Sequence, residues 1–116
     1  MNVIMFHNPR CSKSRETLAL LNDRGAQVEI VEYLNTPPDT NTLRALVDKL
    51  GVTARDIVRT GESAYRELGL ADPGISDDAV LEAIASHPIL LQRPIVVRDG
   101  KAALGRPPEN VLALLD

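Results

Sequence analysis

Tryptophan is absent from this chain of 116 residues, cysteine occurs once, and only 3% of the residues are aromatic. One cysteine excludes an internal disulfide, and two histidines beside it leave no Cys/His set at metal spacing for zinc or an iron–sulfur cluster. No apolar run approaches the roughly 20 residues that span a bilayer, and no basic stretch followed by an apolar segment opens the chain. The expectation is a cytoplasmic protein without a membrane partner. Positive charge is not in excess either, since the net charge of −3 gives no general attraction for nucleic acid. Any anion bound here needs a local basic cluster. What is plentiful is Leu, Val, Ile and Ala, within a composition 44% hydrophobic and 25% charged. That supports one core of helices packed on a small sheet, a single domain over 1–116.

The order of elements gives the class. VIMF (Val3 to Phe6) reads as a buried strand that Asn8 and Pro9 end. A helix follows with Thr17, Leu18, Leu20 and Leu21 on one face, Ser12 or Ser14 as cap, and Gly25 past its end. VEIVEYL (Val28 to Leu34) is a second strand, and a right-handed crossover makes the two strands parallel. NTPPDTN is a connector, and Leu43, Leu46, Val47 and Leu50 predict a helix before Gly51. Shorter helical patterns lie in TARDIVRTG and SAYRELGL, and SDDAVLEAIASHP begins on a serine cap and stops before Pro88. PIVVRDGKAAL is a hairpin turning at Asp99 and Gly100, and a last helix from Pro108 carries Val111, Leu112 and Leu115. The pattern is α/β. It matches a thioredoxin-like (glutaredoxin-like) mixed sheet: a βαβ half over 1–35, a helical insertion over 36–88 and a ββα half over 89–116.

The lone thiol carries the chemistry. Cys11 falls after a strand and at a helix N-terminus, where unpaired N–H groups and the helix dipole favour thiolate over thiol. His7, Arg10, Lys13 and Arg15 add positive charge nearby. The same N–H groups would cradle an oxyanion, so nucleophile and anion site coincide. His7 would support the thiolate electrostatically or merely finish the strand. Ser14 would cap the helix or hydrogen-bond the sulfur. His87 reads as a helix terminator, not a metal ligand. From the residues alone, Arg59 at a helix end and Arg106 after the hairpin are either anion ligands or solvated cations, and Arg93 precedes Pro94 at the start of a strand.

HNPRCSKSRETL, LLQRPIVV and GRPPENVL, with YLNTPP and RELGLAD, resemble the glutaredoxin-coupled arsenate reductase family nearly end to end. RTGES departs from the Arg-Lys-Asn-type sequence of the resistance-operon reductases, and HNPRCSKSRETL followed by GKAALGRPPENVL is similar to chromosomal members of the family. The resemblance implies a thioredoxin-like domain with a helical insertion, Cys11 as the nucleophile on arsenate, and Arg59, Arg93 and Arg106 holding the anion. Pro94 resembles the cis-proline that faces the cysteine in this fold. Guanidinium groups suit tetrahedral oxyanions because they donate paired hydrogen bonds. Reducing arsenate to arsenite takes two electrons, and two thiols closing a disulfide supply two. The chain owns one thiol, so glutathione is the implied co-substrate and glutaredoxin the implied partner of a monomer with no bound cofactor.

Three rivals differ in what they require. A tyrosine-phosphatase-like loop needs arginine where Thr17 stands, and a polymerase-binding regulator with a Cys-x-x-Cys switch needs cysteine where Ser14 stands. A glutathione-dependent thiol oxidoreductase acting on mixed disulfides needs one reactive cysteine but has no use for three arginines.

Overall fold

The chain, described over residues 1–115 by a computed structural model, forms two compact units. Met1–Thr36 and the segment from Arg93 onward make the first, and Pro37–Gln92 the second.

In the first unit, β1 (Asn2–Phe6), helix α1 (Ser12–Asp23) and β2 (Gln27–Val31) form the parallel βαβ element. β3 (Ile95–Arg98) and β4 (Lys101–Leu104) complete a four-stranded mixed sheet in the order β2-β1-β3-β4. β3 runs antiparallel to both neighbours, with Phe6 opposite Ile95 and Ile95 opposite Leu104. That register brings three chain segments to one end of the sheet: the exit from β1, the entry to β3 and the exit from β4. β2 stops at Val31, short of the expected Leu34, because residues from Glu32 turn the chain, with Asn35 and Thr36 N–H groups bonding the Glu32 carbonyl. The hairpin forms where Asp-Gly places it, although the left-handed residue is Asp99, at φ 56°.

One apolar layer lies between the sheet and the elements covering it. Val3 and Met5 of β1, Leu21 of α1, Val96 of β3, and Val111 and Leu114 of the C-terminal segment are all buried in it. Truncating any one of the large members to alanine costs about 2–5 kcal/mol. The C-terminal helix is a 3₁₀ helix over Pro108–Leu115. Its three-residue turn stacks positions i and i+3, so the expected Val111 is joined in the core by Leu114, while Leu115 packs against that core and Leu112 is only partly buried.

The second unit is helical. α2 (Thr40–Leu50) begins at Asp39, whose carboxylate accepts from the Thr42 N–H at 2.8 Å, and ends at Gly51 with φ 71°. α3 (Ser63–Glu67) is short, and α4 (Asp77–Ser86) is capped by Ser76, packs on α2 and buries Val80, Leu81 and Ile84. A 3₁₀ turn over Ala54–Ile57 carries a Thr53/Asp56 capping box. The strand-like stretch after it pairs Val58 with Leu91. Among the described residues no helix is long and apolar enough to cross a membrane.

Candidate active site

The loop between β1 and α1 is tied by its own side chains. The Asn8 carboxamide oxygen accepts the Arg10 N–H at 3.0 Å, and the Cys11 N–H donates to the Asn8 carbonyl at 3.0 Å. Arg15 reaches back from α1 to the Pro9 carbonyl at 2.9 Å. Extended at φ −93° and ψ 124°, Cys11 itself occupies the N-cap position expected for Ser12 or Ser14. Ser14 lies in the first turn, and its buried hydroxyl is committed elsewhere. It accepts the Asn8 N–H at 3.1 Å and meets His7 Nδ1 at 2.8 Å.

His7 therefore supports the loop through Ser14. Burial lowers its pKa from the ordinary 6.5, against the raising influence of Glu32 and together with Arg15. The neutral ring is favoured, so the electrostatic help expected of an imidazolium is replaced by a hydrogen-bonded strut.

The thiol's surroundings favour its anion. Burial pushes the Cys11 pKa up, but the backbone N–H of Ser14, the hydrogen bond and charge of Arg93, and the N–H of Lys13 outweigh it, leaving it below the ordinary thiol value. The helix N–H groups face the sulfur without closing a full capping hydrogen bond. Arg106 Nη2 stands 3.8 Å from Cys11 Sγ, a long contact, so Arg93 is the stronger stabiliser of the thiolate.

The two arginines flank the open end of the β3–β4 hairpin, Arg93 before β3 and Arg106 after β4. The Arg93–Pro94 peptide bond is cis, as is Arg106–Pro107, which the sequence reading did not anticipate. Arg106 Nε donates to the Arg93 carbonyl at 2.7 Å, and Asn110 donates to the Arg106 carbonyl at 3.1 Å. Gly105 makes the approach possible: its N–H bonds the Pro94 carbonyl at 2.9 Å, and a Cβ there would lie 2.7 Å from Pro94 Cγ and 2.8 Å from Thr17 Oγ1. Burial lowers the Arg93 pKa, but Cys11 and Tyr33 more than offset it, and the guanidinium is held charged. Arg93 Nε and Nη1 are buried and have no hydrogen-bond acceptor among the described residues. Two buried cationic donors beside a nucleophilic sulfur form a candidate oxyanion site.

Cys11, His7, Ser14, Arg93, Pro94 and Arg106 thus share one end of the first unit's sheet. Arg59 belongs to the second unit. Its N–H donates to the Leu90 carbonyl at 2.7 Å, and its guanidinium pairs with Glu62 at 3.2 Å and donates to the Gln92 side chain at 3.2 Å. Tyr33, Thr17 and Gly105 were not singled out as site residues from the sequence. Only the glycine immediately before Arg106 carried a usable signal, that of close backbone approach. No group of three or more His, Cys, Asp or Glu among the described residues is placed to hold a metal ion.

Comparison with known proteins narrows the chemistry. A family model described as the ArsC family matches residues 6–114. An arsenate reductase of Neisseria meningitidis serogroup A is 54% identical over 112 residues, covering 96% of each chain. The uncharacterized protein YfgD of Escherichia coli is 52% identical over 114 residues, covering 97% of this chain and 96% of that one. The solved structure of an arsenate reductase from Vibrio cholerae superposes with a TM-score of 0.95 at 49% identity, covering 97% of each chain.

Proposed function

Because the chain belongs to the ArsC family, we propose that it is an oxidoreductase that reduces arsenate to arsenite with Cys11 as nucleophile. The observation that carries this reading is the pair of buried, acceptor-free donors on Arg93 beside a thiol whose pKa is lowered. A disulfide substrate offers no oxyanion to such donors; arsenate does.

The Cys11 thiolate forms a sulfur–arsenic bond while one arsenate oxygen leaves, protonated, as water. Arg93 and Arg106 hold the remaining oxygens and offset their charge. Glutathione then bonds its sulfur to that of Cys11 as the sulfur–arsenic bond breaks, and the electron pair stays on arsenic, released as arsenite. In sum, two thiols and arsenate become one mixed disulfide, arsenite and water, which balances the two electrons. A glutaredoxin thiolate removes the glutathionyl group and restores Cys11. The cycle needs no bound cofactor, runs in a monomer and belongs in a reducing cytoplasm where glutathione is abundant.

The test is arsenate-dependent NADPH oxidation in the presence of glutathione, glutaredoxin and glutathione reductase. Cys11→Ser should fall to background. Turnover undiminished in that variant removes Cys11 from the mechanism, and turnover of a small mixed disulfide without arsenate turnover removes the substrate.

A further inference from the structure

β1 and β2 are parallel, and the His7 N–H continues their ladder by donating to the Val31 carbonyl at 2.9 Å. The loops that follow the two strands therefore leave the sheet side by side, at the carboxyl ends where α/β sheets bind ligands. Between them lies a cavity of about 380 Å³. Buried His7 and Asn8 contribute to its wall, Arg10 stands on one loop, and Glu32, Leu34 and Asn35 stand on the other. Its volume falls within the range of small-molecule sites.

Neither charge in this cavity is paired in a salt bridge among the described residues. Arg10 is held through its backbone N–H, and no ion pair among the described residues engages its guanidinium or the Glu32 carboxylate. A cation and an anion facing one cavity are complementary to a zwitterion. Arg10 is also the residue before Cys11, so the rim lies one Cα step, about 3.8 Å, from the nucleophile's backbone.

Glutathione has the matching form: its γ-glutamyl end carries an α-ammonium and an α-carboxylate, separated by methylenes from the cysteinyl sulfur. We propose that this cavity binds the γ-glutamyl end of glutathione, with Glu32 taking the ammonium, Arg10 the carboxylate and Leu34 lying along the methylenes. The thiol is thereby delivered toward Cys11. The inference rests on glutathione being the donor of the second sulfur in the function proposed above.

Binding is measured by calorimetry on the full chain with S-methylglutathione, which cannot exchange disulfides, and with its des-amino analogue, which lacks the ammonium. Arg10→Gln should weaken S-methylglutathione by roughly five- to tenfold, the usual scale of a charge-assisted contact at a solvated site. Glu32→Gln separates recognition from simple attraction, because removing a negative charge strengthens a purely electrostatic hold on an anionic peptide. It should instead weaken S-methylglutathione several-fold and leave the des-amino analogue unchanged. Lys101→Ala, on the β4 end of the hairpin, should change neither. Glu32→Asp provides a second variant should Glu32→Gln fail to fold, and is expected to retain part of the ammonium preference. Equal or tighter binding of S-methylglutathione by Glu32→Gln, or no binding by the unmodified chain, overturns the assignment. Arsenate turnover with no effect of these variants on binding removes the cavity alone. The predicted binding pattern without arsenate turnover upholds the cavity and removes arsenate as substrate.

Discussion

Gly105→Ala isolates the contact on which the position of Arg106 depends. The added methyl group would stand 2.7 Å from Pro94 Cγ, 2.8 Å from Thr17 Oγ1 and 3.3 Å from Pro94 Cδ. None of these atoms ends a flexible side chain. Thr17 is fully buried with its hydroxyl bonded to the Lys13 carbonyl at 2.8 Å, and the Pro94 carbonyl is held by the Gly105 N–H itself. Relief must come from the backbone, and overpacking of this kind costs about 1–3 kcal/mol. For a chain of this size, a loss of that order lowers the thermal midpoint by roughly 4–12 °C. The displaced segment leads straight into Arg106, so its 3.8 Å approach to Cys11 should lengthen as well. Thermal unfolding followed by circular dichroism reads the first effect, and the rate of arsenate turnover reads the second. Adding Thr17→Ala removes one of the two clashing groups, and the double variant should be more stable than the sum of the single losses, by about 0.5 kcal/mol or more. A Gly105→Ala protein with an unchanged midpoint and full turnover would refute the argument.

Three further perturbations test the electrostatics. Arg93→Met removes the hydrogen bond and charge that lower the Cys11 pKa, so the pH midpoint of iodoacetamide alkylation should move up toward the ordinary thiol value. Because the folded thiol's pKa is depressed, its ionisation contributes stability that is full above the unfolded value and lost as pH falls through the folded one. The unmodified chain should therefore gain on Cys11→Ser in urea midpoint as the solution is made alkaline. His7 acts with the same sign in a lower pH window: burial lowers its folded pKa, so the unfolded chain takes the proton first as pH falls past 6.5. Stability should decline from there down to the folded pKa, and His7→Asn should flatten that decline in urea titrations at neutral and mildly acidic pH.

How much of this was legible in the sequence depends on how local each signal is. Gly25 and Gly51 adopt positive φ values past the ends of α1 and α2, as their positions after apolar periodic segments predict. Asp39 and Ser76 cap α2 and α4 through bonds to residues three positions on, so that signal is also local. The 3₁₀ character of Pro108–Leu115 was not legible: apolar spacing at an α-helical period picks Val111, which is buried, and misses Leu114, which the tighter turn buries as well. At the site, the seat of Cys11 at a helix start followed from strand, turn and helix in succession. The diversion of Ser14 from capping did not, because its partner His7 Nδ1 is fixed by the exit from β1. The Arg93–Arg106 bond and the tight seat of Gly105 come from strand register, a property that spacing along the chain does not encode.

The first unit is built from the two ends of the chain, and Arg106 is separated from Cys11 by 95 positions. A ribosome delivers the thiol early and both guanidinium groups late. Throughout most of synthesis the sulfur lacks the two guanidinium groups that flank it in the folded unit. A product truncated before Arg93 would be without the hydrogen bond and charge through which that residue lowers the thiol's pKa.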